Sequence, residues 1–251
     1  MLFNGRRMSV CAVGVALLLA ATSAGWGQVP DEFTNLRVLP EGIPKRELIS
    51  IMRAFSQALG ARCDHCHVAK TPDSLEGMDF ASDELEPKNV ARAMMKMTSE
   101  INGKLMPTTG RRSLMRVRCV TCHRGLTEPE SLDRILLETI KSRDVAAAEK
   151  RYRELRGEYH GTGAYDFGAG TLNDVAEKLA QEQNDIDGAI ELLKLNVSFH
   201  SESAHSHLML GQLYSMKGDK QAAAASIERS LELEPDNLRA KRMLERLRSS
   251  E

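Results

Sequence analysis

Two segments of the chain share one pattern of cysteine and histidine residues. CDHCH runs from Cys63 to His67, and CVTCH runs from Cys119 to His123. In C-x-x-C-H, both thiols can add to the vinyl groups of a c-type haem while the histidine becomes a ligand of its iron. The pattern predicts two covalently bound haems, held by Cys63, Cys66, His67, Cys119, Cys122 and His123.

The distribution of the cysteines favours haem over other thiol chemistry. The chain has five cysteines, and the only one outside the two motifs is Cys11, in an apolar segment that we expect to be cleaved off. Exported cysteines are by default paired in disulfides, but pairing leaves the two adjacent histidines unexplained. A zinc ribbon with four cysteine ligands also leaves both histidines without a role, and a thiol redox motif needs one pair only.

Length and composition indicate a folded protein without a general attraction for polyanions. The 251 residues are 42% hydrophobic, which is enough for one or two domains with their own cores. The formal net charge is -1. We therefore expect no nucleic-acid partner, and any charged docking surface must be local.

Residues 1–27 are predicted to form a signal peptide. Arg6 and Arg7 give a positive start, Val10 to Ala21 form an apolar run, and small residues follow where cleavage would occur. The alternative is an uncleaved membrane anchor, although the run is shorter than the roughly 20 residues that a spanning helix needs. The expected location is the periplasm, with membrane association only through this segment or through a membrane partner.

A predicted helix precedes each motif and must help to position it. The first begins at Pro44, which suits a first helical position, and ends at Gly60, directly before CDHCH. The second begins after Pro87 and runs to about Leu105. The acidic stretch between them, Asp73 to Glu86, is interpreted as a solvated loop and as a candidate surface for steering a basic partner.

The chain beyond Pro129 is predicted to be helical and repetitive. Ser131 to Tyr159 is typical of a helical hairpin broken near Ser142 to Asp144, and similar residues then recur 34 to 35 positions apart. The second unit resembles the tetratricopeptide repeat, whereas the first, Ala169 to Ser203, has Gln183 in place of the turn glycine. The marker positions of the second unit are Gly211, Tyr214, Gly218, Ala223 and Pro235.

These patterns predict an all-α protein with two domains after the signal peptide. Residues 28–130 would form a dihaem cytochrome c domain, and residues 131–251 would form an array of helical hairpins similar to tetratricopeptide repeats.

Residues 36–126 resemble the photosynthetic reaction centre cytochrome c subunit family. The resemblance rests on IMRAFSQALGARCDHCH and on FASDELEPKNVARAMMKMTSEIN leading to VRCVTCHRG. In that family a helix with an axial methionine precedes each C-x-x-C-H helix. This chain departs from the family in having two motifs instead of four and in adding the repeat region.

The resemblance implies a sixth iron ligand for each haem. Met52, 11 residues before Cys63, is the one implied for the first haem, and Met97 is the one implied for the second. Met94, Met106 or a histidine remain alternatives to Met97. The histidines are His65, His160, His200, His205 and His207.

The expected function is electron transfer without catalysis. One partner would be a redox protein, and the repeat region would bind a peptide or protein. A dihaem peroxidase, which needs an open sixth position on one iron, is the enzyme alternative; a scaffold with haem as redox sensor is another. Arg62, Arg118 and Arg124 flank the motifs and are candidate partners of haem propionates, or ordinary exposed arginines.

Overall fold

The computed structural model describes residues 29–72, 74–109 and 116–249. Within these ranges the regular elements are all helical, and the one β pairing is an isolated bridge between Val68 and Asp79. The all-α prediction is confirmed. No helix of the described ranges is long and apolar enough to cross a membrane. The predicted signal peptide, residues 1–27, lies outside the described residues.

Helix α1, Lys45–Leu59, has the bounds that the sequence predicts. Pro44 precedes it at φ −61°, and Gly60 ends it in the left-handed region at φ +61°. Leu48 and Ala58 are buried on its apolar face. The chain then enters a 3-10 turn, Cys63–His65, so the first motif follows directly from the end of α1.

Helix α2, Glu86–Glu100, continues into a π-helical segment, Ile101–Leu105, and a short helix α3, Met106–Thr108. The extent of the second helix is as predicted, but its last turn is not α-helical. Pro107 has no N–H to donate to the carbonyl of Gly103, its partner in an α-helix, so the regular ladder cannot pass through this turn. The second motif follows as helix α4, Cys119–His123.

The acidic loop is anchored, and its interpretation as a solvated linker is wrong at Asp83. The Asp83 carboxylate forms ion pairs with Arg92 at 2.6 Å, Arg37 at 2.7 Å and Lys88 at 3.3 Å. Asp79 accepts hydrogen bonds from two main-chain N–H groups of its own loop. The loop is therefore tied to the N-terminal segment and to α2, and two of its acids are engaged within the chain.

The rest of the chain is an array of antiparallel helices. Up to residue 249 its seven helices are α5 (Leu132–Ser142), α6 (Val145–Tyr159), α7 (Ala169–Glu182), α8 (Ile186–Phe199), α9 (Ala204–Lys217), α10 (Lys220–Leu233) and α11 (Leu238–Ser249). One apolar core extends from α5 to α9 and includes the fully buried Tyr152, Leu172 and Leu193. The predicted hairpin, with its break before Val145, and the repeated helix pairs are observed.

The first repeat turns without a glycine because an asparagine takes the glycine conformation. Helix α7 ends at Glu182, Gln183 is its C-cap, and Asn184 has φ +54°. The corresponding turn after α9 uses Gly218 at φ +84°. Asparagine is one of the few residues with a side chain that tolerate this region, so both turns pass through a left-handed residue. The turn of the first unit is one residue longer than that of the second.

The two parts of the chain meet at a cleft of about 440 Å³. Leu59, Gly60 and Gly125 line it from the side of the motifs, and Tyr159 and Tyr165 line it from the array. The predicted division at residues 130 and 131 falls just before α5 and stays a prediction.

Candidate haem-binding site

The first motif is a compact turn with two unpaired thiols. The N–H groups of Cys66 and His67 donate to the carbonyl of Cys63 at 3.2 and 3.0 Å. Cys63 is exposed and Cys66 is half-buried, and neither forms a disulfide. Burial, followed by the neighbouring Cys63, raises the pKa of the Cys66 thiol. A cleft of about 600 Å³ borders this turn.

The surroundings of the His67 imidazole disfavour its charged form. Burial lowers its pKa, and the charge of Lys88 acts in the same direction. The ring packs edge-on against Phe80, with 5.2 Å between ring centroids. The His67 Nδ1 atom is buried without a hydrogen-bond partner in the described structure. A neutral imidazole with an unsatisfied nitrogen is suited to binding a metal.

The second motif forms a complete helical turn whose histidine is oriented by the main chain. The Arg118 N–H donates to Thr121 Oγ1 at 3.0 Å at the start of α4. The Nδ1 atom of His123 lies 2.8 Å from the carbonyl oxygen of Leu126. Because a carbonyl can only accept, Nδ1 carries the proton in the neutral ring, and Nε2 keeps a lone pair for a metal. Arg124, at φ +48°, ends the helix.

The segments that carry the two motifs touch through their main chains. The Gly125 N–H donates to the carbonyl of Ala58 at 2.8 Å. A Cβ atom at Gly60 would overlap the Gly125 carbonyl oxygen, so the two segments pass each other without an intervening side chain. The end of α1, just before CDHCH, is thus packed against the residues just after CVTCH.

Helix α2 and the π-helical segment after it expose four apolar side chains, which we call the α2 stripe: Val90, Met94, Met97 and Leu105. All four side chains are exposed, Met97 by 49%, and Val120 of α4 is exposed as well. Asn102 joins this end of α2 to Val117, two residues before Cys119. Unpaired thiols, an oriented histidine and an exposed apolar stripe on the element tied to Val117 together match what a haem requires, namely thiol attachment, an iron ligand and apolar surface to cover its ring.

The predicted distal ligands lie on the helices that precede the motifs. Met52 is half-buried on α1, one turn after Leu48, while Met97 and Met94 lie on the α2 stripe. Met106 is half-buried in α3. The assignment of Met52 and Met97 as iron ligands stays a prediction.

The alternative histidines occupy other parts of the fold. His200 Nε2 is 2.9 Å from the Phe167 carbonyl, and His207 Nε2 is 3.1 Å from that of Ser201, both within the array. His160 and His205 also belong to the array, and His65 is exposed within the first motif. Arg62, Arg118 and Arg124 are exposed, and their role toward propionates stays a prediction.

The sequence patterns did not identify three residues that shape the site: Phe80, Lys88 and Asn102. Phe80 contacts His67, and Lys88 Nζ donates to the carbonyls of Phe80, Ala81 and Ser82 at 3.0, 2.9 and 2.6 Å. For Asn102 a weak signal exists, because asparagine is an uncommon choice inside a helix. For Phe80 and Lys88 the sequence gives no signal, since their contacts depend on how the acidic loop folds back.

The two thiol pairs are not arranged as one shared metal site within the described residues. In the part of the chain that the structure describes, no group of three or more His, Cys, Asp or Glu side chains is placed to share one metal ion. All four thiols of the motifs are unpaired.

Comparison with known proteins identifies one matching protein family. No curated protein matches the chain. The profile of the family described as "Photosynthetic reaction centre cytochrome C subunit" matches residues 20–154. The matched span is more than half of the chain and includes both motifs, α1, α2 and the α5 helix of the array. The chain belongs to the photosynthetic reaction centre cytochrome C subunit family.

Proposed function

We propose that this protein is an exported two-haem cytochrome that exchanges electrons with a membrane or periplasmic redox partner and docks to a protein through its helical array. The family is one of c-type cytochromes in electron transfer, which gives the general class. The number of haems, the export and the docking are our proposals.

The observation that carries the proposal is the arrangement around CVTCH. Cys119 and Cys122 are unpaired, and the Nδ1 atom of His123 is hydrogen-bonded to a carbonyl. The α2 stripe is exposed, and Asn102 ties the end of that element to Val117, two residues before Cys119. Exposed apolar side chains on one helix face are costly in water, and a bound apolar group would offset that cost.

Each motif would hold one haem with the same division of roles. Cys63 and Cys66 would form the thioether bonds of the first haem and His67 would bind its iron; Cys119, Cys122 and His123 would do the same for the second. The bound iron supplies one-electron exchange between its ferrous and ferric forms. Met52 and Met97 are the proposed sixth ligands, and a thioether ligand raises the reduction potential.

The remaining residues orient the ligands and limit the access of water. The Leu126 carbonyl fixes the His123 tautomer, and Phe80 covers one edge of His67. The main-chain contact between Ala58 and Gly125 keeps the two motifs in adjoining segments. This supports electron exchange within one chain, without a mobile carrier between the two sites.

The helical array is the proposed docking element. Its stacked hairpins share one core from α5 to α9, and such arrays bind peptides or proteins along their surface. Export is supported by the character of residues 1–27 and by the attachment chemistry, which takes place outside the cytoplasm.

The test is a count of covalent haems on full-length chain made in a host competent in c-type maturation. A pyridine haemochrome assay, calibrated against protein concentration, should give two haems per chain. The double variants Cys63→Ser/Cys66→Ser and Cys119→Ser/Cys122→Ser should each retain one. Absence of covalent haem would overturn the proposal, and a high-spin ferric spectrum would favour the peroxidase alternative.

A further inference from the structure

The side chain of Asn102 pairs with both main-chain groups of Val117. Its Nδ2 donates to the Val117 carbonyl at 2.8 Å, and its Oδ1 accepts from the Val117 N–H at 2.8 Å. Both residues are half-buried. The amide thus satisfies one donor and one acceptor of the same residue, as a neighbouring strand would, and it fixes both the distance and the orientation of the segment.

This pair joins the two elements on which the second haem would depend. Asn102 lies in the π-helical segment, five residues after Met97, and Val117 lies two residues before Cys119. The Arg118 bond to Thr121 then continues the connection into α4. Any displacement of Val117 relative to Asn102 would move the attachment motif relative to the α2 stripe.

Apolar burial along α2 is limited in the described part of the chain. None of the residues of α2 is buried. A π-helical turn also changes which side chains face a neighbour, and such turns are frequent at functional sites. In this π-helical turn the side chain that faces the neighbouring segment is the amide of Asn102, and it contacts the main chain of Val117.

We propose that Asn102 is a positioning residue for the second haem: it sets the separation between α2, which carries the candidate distal ligands, and the α4 turn, which carries His123. The inference rests on the proposed two-haem function. It predicts that the amide controls distal ligation at the second iron while the first remains unchanged.

Asn102→Ala removes both bonds and leaves the Val117 N–H and carbonyl without these partners. We expect the ferric methionine-to-iron charge-transfer band to fall by about half, because one of the two distal ligands is no longer held. We also expect the reduced variant to bind carbon monoxide at the second haem, and deuterium exchange at residues 116–118 to become faster than in the wild type.

Asn102→Asp provides a second variant of the same shape, in case the alanine variant does not fold. Its carboxylate can still accept from the Val117 N–H but cannot donate to the carbonyl, so a partial loss of the band is expected. Ser99→Ala is the matched control, an exposed polar side chain on the same helix. It should leave the band, the carbon monoxide binding and the exchange as in the wild type.

The haem count separates failure of this inference from failure of the proposed function. If the wild type carries no haem on CVTCH, the proposed function fails, and this inference fails with it. If the wild type and Asn102→Ala both carry two haems, with equal bands and no carbon monoxide binding, the proposed function stands and the role of Asn102 is refuted.

Discussion

The N–H of Gly125 donates to the carbonyl oxygen of Ala58 over 2.8 Å and joins the two haem-motif segments by their main chains. Ala58 lies five residues before Cys63, and Gly125 lies two residues after His123. Gly60 occupies the same contact in a left-handed conformation, and only glycine combines this φ with so close an approach.

Gly60→Ala should destabilise the protein. Its methyl group would meet the Gly125 carbonyl, and the residue would keep φ +61°, a region that alanine disfavours. We expect the free energy of unfolding to fall by about 2–4 kcal/mol, from backbone strain and overpacking together. Thermal unfolding of the full-length protein measures this.

The control for Gly60 is Gly42→Ala. Gly42 has no atom within 4 Å of the position of an added Cβ and lies outside the left-handed region. Its substitution should change the free energy of unfolding by no more than about 0.5 kcal/mol. Equal effects of the two substitutions would contradict the importance of the Gly60 contact.

Met52→Ala and Met97→Ala should each remove part of the methionine-to-iron charge-transfer band, and the double variant should remove all of it. The reason is that each side chain lies on the helix preceding its motif, within the apolar face that a haem would cover. Absorption spectra of the ferric protein measure the band. Met216→Ala, on the exposed surface of α9, is the control and should have no effect.

If Met97→Ala leaves the band intact, the second ligand lies elsewhere. Met94→Ala and Met106→Ala then distinguish the other two methionines. A band that survives in all three variants would leave the second iron with a histidine or without a sixth ligand.

Lys88→Met should lower the reduction potential of the first haem. The Lys88 side chain is only 12% exposed, and after burial its charge is the next cause that lowers the pKa of His67. A nearby cation favours the ferrous form, and a Coulomb energy on the order of 1 kcal/mol corresponds to about 40 mV for one electron. Spectroelectrochemical titration measures the potential of each haem.

Two further variants separate the charge of Lys88 from its hydrogen bonds. Lys88→Arg keeps the charge but not the fit to three carbonyls, so it should leave the potential near the wild-type value and reduce stability. Lys96→Met removes an exposed cation from the same helix and should change neither. An unchanged potential in Lys88→Met would refute the electrostatic role.

Asp83→Asn should reduce stability at neutral pH and lose its effect in acid. The Asn35 side chain, followed by those of Arg92 and Lys88, holds the pKa of Asp83 well below its usual range. A carboxyl whose pKa is lower in the folded state stabilises the fold above its unfolded pKa, and this contribution is lost as the pH falls below that value. The difference between wild type and variant should therefore be constant above about pH 5 and shrink below about pH 4.

Thermal unfolding of both proteins from neutral to acidic pH tests this dependence. Glu84→Gln, an exposed acid of the same loop, serves as the control for a general effect of charge. A difference between wild type and Asp83→Asn that persists undiminished in strong acid would show that the ion pairs do not account for the effect.

The sequence predicts local features of the fold well. Pro44 and Gly60 bound α1 because proline suits a first turn and glycine suits the left-handed cap, both of which are local preferences. The hairpins of the array follow from helical periodicity in the same way. Asn184 shows the limit: Gln183 stands where the second repeat has a glycine, yet the chain still turns, because the next residue adopts the left-handed conformation.

Contacts between distant residues could not be predicted. Asn102 and Val117 are 15 positions apart, and the cations around Asp83 come from two separate segments. A carboxylate in an acidic stretch therefore looks solvated in the sequence and is paired in the structure. The motif cysteines and histidines could be predicted without knowing any distant contact, because the chemistry of C-x-x-C-H depends on spacing within five residues.

The glycine contact between the two motif segments also limits how the protein can be adjusted. A contact between side chains can be weakened in small steps, by removing one methyl group at a time. This contact is formed by main-chain atoms alone, so any side chain added at Gly60 would push the two segments apart. Independent tuning of the two sites must therefore come from their own surroundings, from Phe80 and Lys88 on one side and from Asn102 on the other.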